Sequence, residues 1–190
     1  MRLPPAIIGG TEDALREVLR LTGPADVVLS RYFRDHPKIG GRERGMIAEA
    51  VYALLRQRNL FMHLAQSGSG PQMRRLALLG LAEAAGAESL AGLGDAERQW
   101  LEAVMVIDRS SLSPVLRVST PEWIMQRLEA QFGAEEAMQL AESLNQHATL
   151  DLRINTLKSD RETVMAELSN AGDRKSTRLN SSHVSESRMP

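Results

Sequence analysis

Residues 42–65, RERGMIAEAVYALLRQRNLFMHLA, decide the fold class. Met46, Ile47, Ala50, Val51, Leu54 and Leu55 recur at the three- and four-residue intervals of one helical face, and Phe61, Met62 and Leu64 continue the stripe. The spacing predicts a single long amphipathic helix. Arg56 and Arg58 interrupt the stripe and are expected to point outward.

Similar patterns follow on both sides, separated by Gly and Pro. Thr11 reads as an N-cap for a helix that carries Ala14, Leu15, Val18, Leu19 and Leu21 on one face and stops at Gly23. A second helix is expected from Pro24, at its first position, to the His36-Pro37 stop, burying Val27, Val28, Leu29, Tyr32 and Phe33. After the Ser67-Gly68-Ser69-Gly70 loop, Pro71 opens a helix through Leu76, Leu78, Leu79 and Leu81 to Gly86. Another starts near Asp95 and is expected to bury Trp100, Leu101, Val104, Met105 and Ile107. Residues 110–118 read as a linker. Thr120-Pro121-Glu122 is a strong helix start, and two helices hinged at Gly133 form a hairpin. Trp100 and Trp123 both sit on apolar helix faces and are expected to pack rather than to stack on bases.

The chain is poor in aromatics, 4% of 190 residues, and has no cysteine. Its Ala, Leu, Glu, Arg and Met favour helix, so a mainly α protein is expected. Disulfides, Cys-ligated zinc and a Cys nucleophile are excluded within these residues. No apolar run reaches the roughly 20 residues that span a bilayer, and the start is too short and Pro-rich for a signal peptide, so a cytoplasmic location without membrane contact is expected. His36, His63 and His147 lie scattered, without carboxylates at ligand spacing, so no metal is expected either.

The overall charge of −1 hides an asymmetry. Between residues 24 and 75 nine basic residues, Arg31, Arg34, Lys38, Arg42, Arg44, Arg56, Arg58, Arg74 and Arg75, face four acids, Asp26, Asp35, Glu43 and Glu49. From residue 83 to 142 the acids lead. An anionic partner therefore suits the first part and not the second.

The period changes at residue 150. Leu150, Leu152, Ile154 and Thr156 alternate with Asp151, Arg153 and Asn155, the pattern of a half-buried strand. Ser159-Asp160-Arg161-Glu162 reads as a capping box before a helix over Val164, Met165 and Leu168. One strand without partners is not stable, so an α/β unit has begun here whose remaining strands are expected beyond Gly172. Residues 173–183, DRKSTRLNSSH, resemble a translated sequencing-library adapter, and residues 187–190, SRMP, fit its distal part. The natural sequence is therefore expected to end near Gly172. Residues 173–190 have only Leu179, Val184 and Met189 to bury, and a disordered tail is expected.

Two stretches carry a family resemblance. Residues 25–64, ADVVLSRYFRDHPKIGGRERGMIAEAVYALLRQRNLFMHL, resemble the NusB-like helical domain of the Fmu/Sun (RsmB-like) family of S-adenosylmethionine-dependent ribosomal RNA cytosine-5 methyltransferases. Residues 120–168 resemble the same family's approach to its catalytic domain, in the order Pro-Glu-Trp, a Phe-Gly helix break, Leu-Asn and Leu-Arg-Ile-Asn-Thr-Leu-Lys. The resemblance implies a NusB-like helical RNA-binding domain over residues 1–115. It implies a pre-catalytic, RRM-like subdomain begun over residues 116–172. A Rossmann-type catalytic domain with two cysteines would follow. None of that equipment lies here, so this chain alone is expected to be inactive and to bind no S-adenosylmethionine. Ribosomal RNA, of the small subunit, is the implied partner of a monomeric protein.

Two groups of side chains are candidates for RNA contact. Arg31, Arg34, Lys38, Arg42 and Arg44 cluster around residues 37–41, with Arg56 and Arg58 expected nearby, a composition suited to phosphate. The rival reading is surface pairing with Asp35, Glu43 and Glu49. Arg153, Asn155 and Lys158 alternate on one strand face or just after it, where the rival is an exposed face or Asn155 tying down a turn. Against the enzyme-family reading stands a free-standing NusB-like adaptor in transcription antitermination, which binds RNA or protein without catalysis.

Overall fold

The computed structural model describes residues 3–146 and 152–170. They belong to two compact units, Met1–Asn145 and Gln146–Pro190. The expectations for residues 173–190 fall outside the described residues.

The first unit is helical throughout. Leu3 donates its N–H to the Ser89 carbonyl at 2.7 Å and forms an isolated bridge with Leu90. Pro4 and Pro5 then lead into α1 (Ala6–Val18), which starts well before Thr11 because Ile7 and Ile8 join the core. Thr11 is not a cap. It is fully buried inside the helix, and its hydroxyl donates to the Ile7 carbonyl one turn back at 2.8 Å, which satisfies it without leaving the helix. Leu21 lies past the helix end with φ +53° and is exposed.

Helix α2 (Ala25–Asp35) stops at His36-Pro37 as its sequence predicts and buries Val28, Leu29 and Tyr32. Val27 is 57% exposed, because it lies off the face that those residues define. The stretch that reads as one long helix is two. Helix α3 (Gly41–Arg56) and α4 (Arg58–Leu64) are separated at Gln57, whose φ and ψ are −112° and 33°. Its side chain there donates to Glu83 at 2.7 Å and accepts from Arg109 at 2.9 Å. The break lets α4 bury Leu60, Phe61 and Leu64.

Helix α5 (Gln72–Ala85) ends at Gly86 and α6 (Asp95–Met105) begins where Glu97 accepts from the Gly94 N–H at 3.1 Å. Leu101 and Val104 are buried as predicted, whereas Ile107 lies past the helix end and is 38% exposed. The supposed linker contains a short helix, α7 (Pro114–Val118). Helices α8 (Glu122–Phe132) and α9 (Ala134–Leu144) form the predicted hairpin around Gly133, where φ is +82°. Pro121 immediately precedes α8, and the Thr120 hydroxyl donates back to the Val118 carbonyl instead of capping the helix.

The core is centred on the packing of α3 against α5, with α1 against both. Ile47, Ala50, Val51 and Leu54 meet Leu76, Leu79 and Leu81 in one cluster. A Cβ added at Gly80 would lie 2.6 Å from the Ala50 carbonyl oxygen, so the two backbones approach as only glycine allows. Val118, Met125, Ala137 and Ala141 form a second, smaller cluster around α7 to α9. Ser119 ties it to the bundle: its Oγ accepts from the Leu60 N–H at 3.2 Å, capping α4 from another element.

In the second unit, α10 (Arg161–Asn170) is capped by Asp160 rather than by Ser159, since Thr163 donates its N–H and its hydroxyl to the Asp160 carboxylate, each at 2.9 Å. No residue of α10 is buried. Residues 152–155 form no strand, and 150 and 151 lie outside the described residues. No sheet occurs among the described residues. Alternation marks which side chains suit a sheet, but ladder bonds need a partner.

Two substitutions distinguish close packing from helix propensity. Gly80→Ala should lower the urea midpoint, at a cost of about 1–3 kcal/mol from overpacking. Gly45→Ala, on α3 with nothing within 4 Å of the added Cβ, should raise it by about 0.5–1 kcal/mol. Amides of α10 should exchange with deuterium much faster than those of α5, because none of its residues is buried.

Candidate nucleic-acid interface

The nine cations of residues 24–75 divide by what already holds them. Arg74 forks onto Glu97 and reaches Glu12 at 3.3 Å, joining α1, α5 and α6. Arg75 donates to the Ala65 carbonyl at 2.7 Å and to that of Gly70, closing the Ser67-to-Gly70 loop. Arg44 donates to the Ile39 carbonyl at 2.8 Å, and its guanidinium lies 5.7 Å from the Phe33 ring centre. Arg42 and Arg56 are engaged as well, and the Arg56 charge acts on Glu83.

Arg31, Arg34, Lys38 and Arg58 remain exposed and make no ion pair among the described residues. The acids expected to pair with such cations are partly committed elsewhere. Glu43 accepts from the Gly40 N–H at 3.2 Å at the start of α3, and Glu49 is also engaged. Arg31 and Arg34 lie in the second half of α2 and Lys38 in the turn after it. Arg42 and Arg44 follow on α3, and Arg58 opens α4.

Between Arg34 and Lys38 stands His36, which composition alone gave no reason to select. Its Nδ1 lies 2.8 Å from the Tyr32 carbonyl oxygen, and its ring lies against the Tyr32 ring, centres 4.3 Å apart. Tyr32 is itself anchored, donating its hydroxyl to the Gly10 carbonyl at 3.0 Å. Burial, with the nearby Asp13 charge, pushes the Tyr32 hydroxyl above its ordinary pKa, so it stays a donor. The only hint in the sequence was an aromatic residue one helical turn before a histidine among cations.

A cleft of about 430 Å³ opens beside these rings. Arg16, Arg20 and Arg31 line it with Asp13, Glu17 and Asp35. Arg16 pairs with Asp13 and Glu12, and Arg20 with Glu17 at 3.1 Å, so Arg31 is the cation there without an ion pair among the described residues.

In the second unit, Arg153 and Asn155 line a cleft of about 400 Å³, and Lys158 is exposed. Asn155 shapes the turn: its Oδ1 accepts from the Leu157 N–H at 3.1 Å and its carbonyl from that of Lys158 at 2.9 Å. Trp123, expected to pack, is 60% exposed with Arg127 lying 5.5 Å from its ring centre. Trp100 does pack, and it donates to Ser67 Oγ at 3.1 Å.

Among the described residues no cluster of His, Asp and Glu suits a metal ion, and no helix is long and apolar enough to cross a membrane. Among those residues no strand leads through a glycine-rich turn into a helix.

Two carboxylates report on the scaffold behind these surfaces. Burial raises the Glu83 pKa, but hydrogen bonds from Arg109 and Gln57 outweigh it, leaving the group below its ordinary 4.5. The Arg74 fork holds Glu97 below 4.5 too, against a smaller effect of burial. A carboxylate depressed in the fold stabilises fully above its unfolded pKa and loses that contribution as pH falls through the folded value. The urea midpoint should therefore fall on acidification below about pH 4.5, and Glu83→Gln should flatten that dependence while lowering the midpoint at neutral pH.

Comparison with known proteins places these observations in a family context. Residues 120–183 match the model of the methyltransferase RsmF/B-like, ferredoxin-like domain, a span that includes residues 173–183. A probable ribosomal RNA small subunit methyltransferase B of Synechocystis sp. is 28% identical over 187 residues, which cover 81% of this chain and 42% of that protein. The chain thus spans less than half the length of this curated relative. No solved structure matches it.

Proposed function

We propose that the chain belongs to the Fmu/Sun family of ribosomal RNA methyltransferases and that its helical unit is the RNA-binding part of an enzyme methylating carbon 5 of cytosine in ribosomal RNA. Its relative's name specifies the small ribosomal subunit, and we carry that substrate class over. S-adenosylmethionine is the implied methyl donor. Cytosine carbon 5 is unreactive until a nucleophile adds at carbon 6, and a thiolate is the side chain suited to that addition. These 190 residues contain no cysteine. We therefore expect no methyl transfer by this chain alone.

The observation that carries the reading is the retention of Arg31, Arg34, Lys38 and Arg58 as exposed cations without ion pairs among the described residues. A cation already paired must give up its carboxylate to reach phosphate, whereas these need only shed water and counterions. Arg153, Asn155 and Lys158 supply a second candidate contact in the residues that match the family model.

Binding of the chain to a small-subunit ribosomal RNA fragment, measured against salt, tests this reading. The double substitution Arg34→Ala with Lys38→Ala should weaken binding to all RNA sequences and reduce the slope of log K against log salt by roughly 1.4 for two lost contacts to single-stranded RNA. An unchanged affinity and slope would remove this face from the proposal.

A further inference from the structure

The end of α2 has the parts of a site for an unpaired base as well as for phosphate. His36 is exposed, yet its ring cannot swing freely, being held at Nδ1 by the Tyr32 carbonyl and backed on one side by the Tyr32 ring. Tyr32 is fixed in turn by the Gly10 carbonyl on α1. A flat ring immobilised before binding loses little entropy when a base stacks on it. Its sequence neighbours Arg34 and Lys38 are exposed cations suited to the backbone on either side of such a base.

The adjoining cleft differs from a phosphate site. Asp13, Arg16, Glu17 and Arg20 line the 430 Å³ from α1 and the turn after it, and Arg31 and Asp35 line it from α2, so its wall carries three carboxylates and three guanidinium groups. Phosphate oxygens would meet three carboxylates there. A base edge, which carries both donors and acceptors, suits such a wall. Stacked bases within a duplex expose neither the ring face nor the full edge.

Resting on the RNA-binding reading above, we propose that the His36 ring and the cleft beside it form a stacking site for an unpaired nucleobase, so that this face prefers single-stranded RNA to duplex. The chain's Arg34 and Lys38 hold the flanking phosphates, Arg31 stands at the cleft, and His36 supplies the preference.

The test measures binding of the full chain to a single-stranded RNA and to a duplex of the same length at one salt concentration. The wild-type chain should favour the single strand. His36→Ala should cost roughly tenfold or more on the single strand, the loss of one stacked base, and leave duplex affinity unchanged. His36→Phe, which keeps a flat ring, should retain most of the preference. Circular dichroism and the urea midpoint of each variant confirm that the bundle is intact. Equal affinity of the wild-type chain for both RNAs, or an equal loss on both in His36→Ala, overturns the stacking site while RNA binding stands. Absence of RNA binding by the wild-type chain overturns both proposals.

Discussion

The close approach of α3 and α5 at Gly80 is the constraint on which the first unit depends. With no side chain there, the α5 backbone reaches the Ala50 carbonyl region, and the small residues Ala50 and Ala77 are fully buried in the same cluster. Larger side chains on either side, Leu54 and Leu79 among them, then pack at full burial. Helix α1 packs on both, and a Cβ added at Gly10 would lie 3.1 Å from the Ile47 side chain on α3.

That seam also decides which charges are available. Arg74 is paired with Glu12 and Glu97 where α1, α5 and α6 meet, and Arg109 is bonded to Gln57 and Glu83. These arginines hold elements together and would have to leave a carboxylate to meet an external anion. Arg31, Arg34, Lys38 and Arg58 lie where no carboxylate pairs with them among the described residues. The positive face is therefore smaller than the basic surplus of residues 24–75, and also less hindered.

Much of the helical order is legible in the residues alone. Helices α2, α5, α6 and α8 and the Gly133 hinge follow from apolar spacing and from proline or glycine at their ends, because those are local effects. The miscast positions depend on more than local spacing. Gln57 breaks a continuous apolar stripe because Glu83 and Arg109 hold its side chain, and Thr11 reads as a cap until burial shows its hydroxyl bonded one turn back. Residues 152–155 alternate like a strand but have no strand to pair with among the described residues. For the site, residue types pointed to Arg31, Arg34 and Lys38, while His36 emerged only when its ring was seen against Tyr32.

Sequence by itself determined a mainly α chain without cysteine, its basic and acidic portions, and a resemblance resting on ordered motifs, since composition and periodicity act through neighbours a few residues apart. Tertiary structure alone decided which arginines are already engaged, where the long helix breaks, and that His36 is a fixed ring beside a cleft. Each of these depends on residues far apart in the chain meeting in space, a relation that local spacing does not encode.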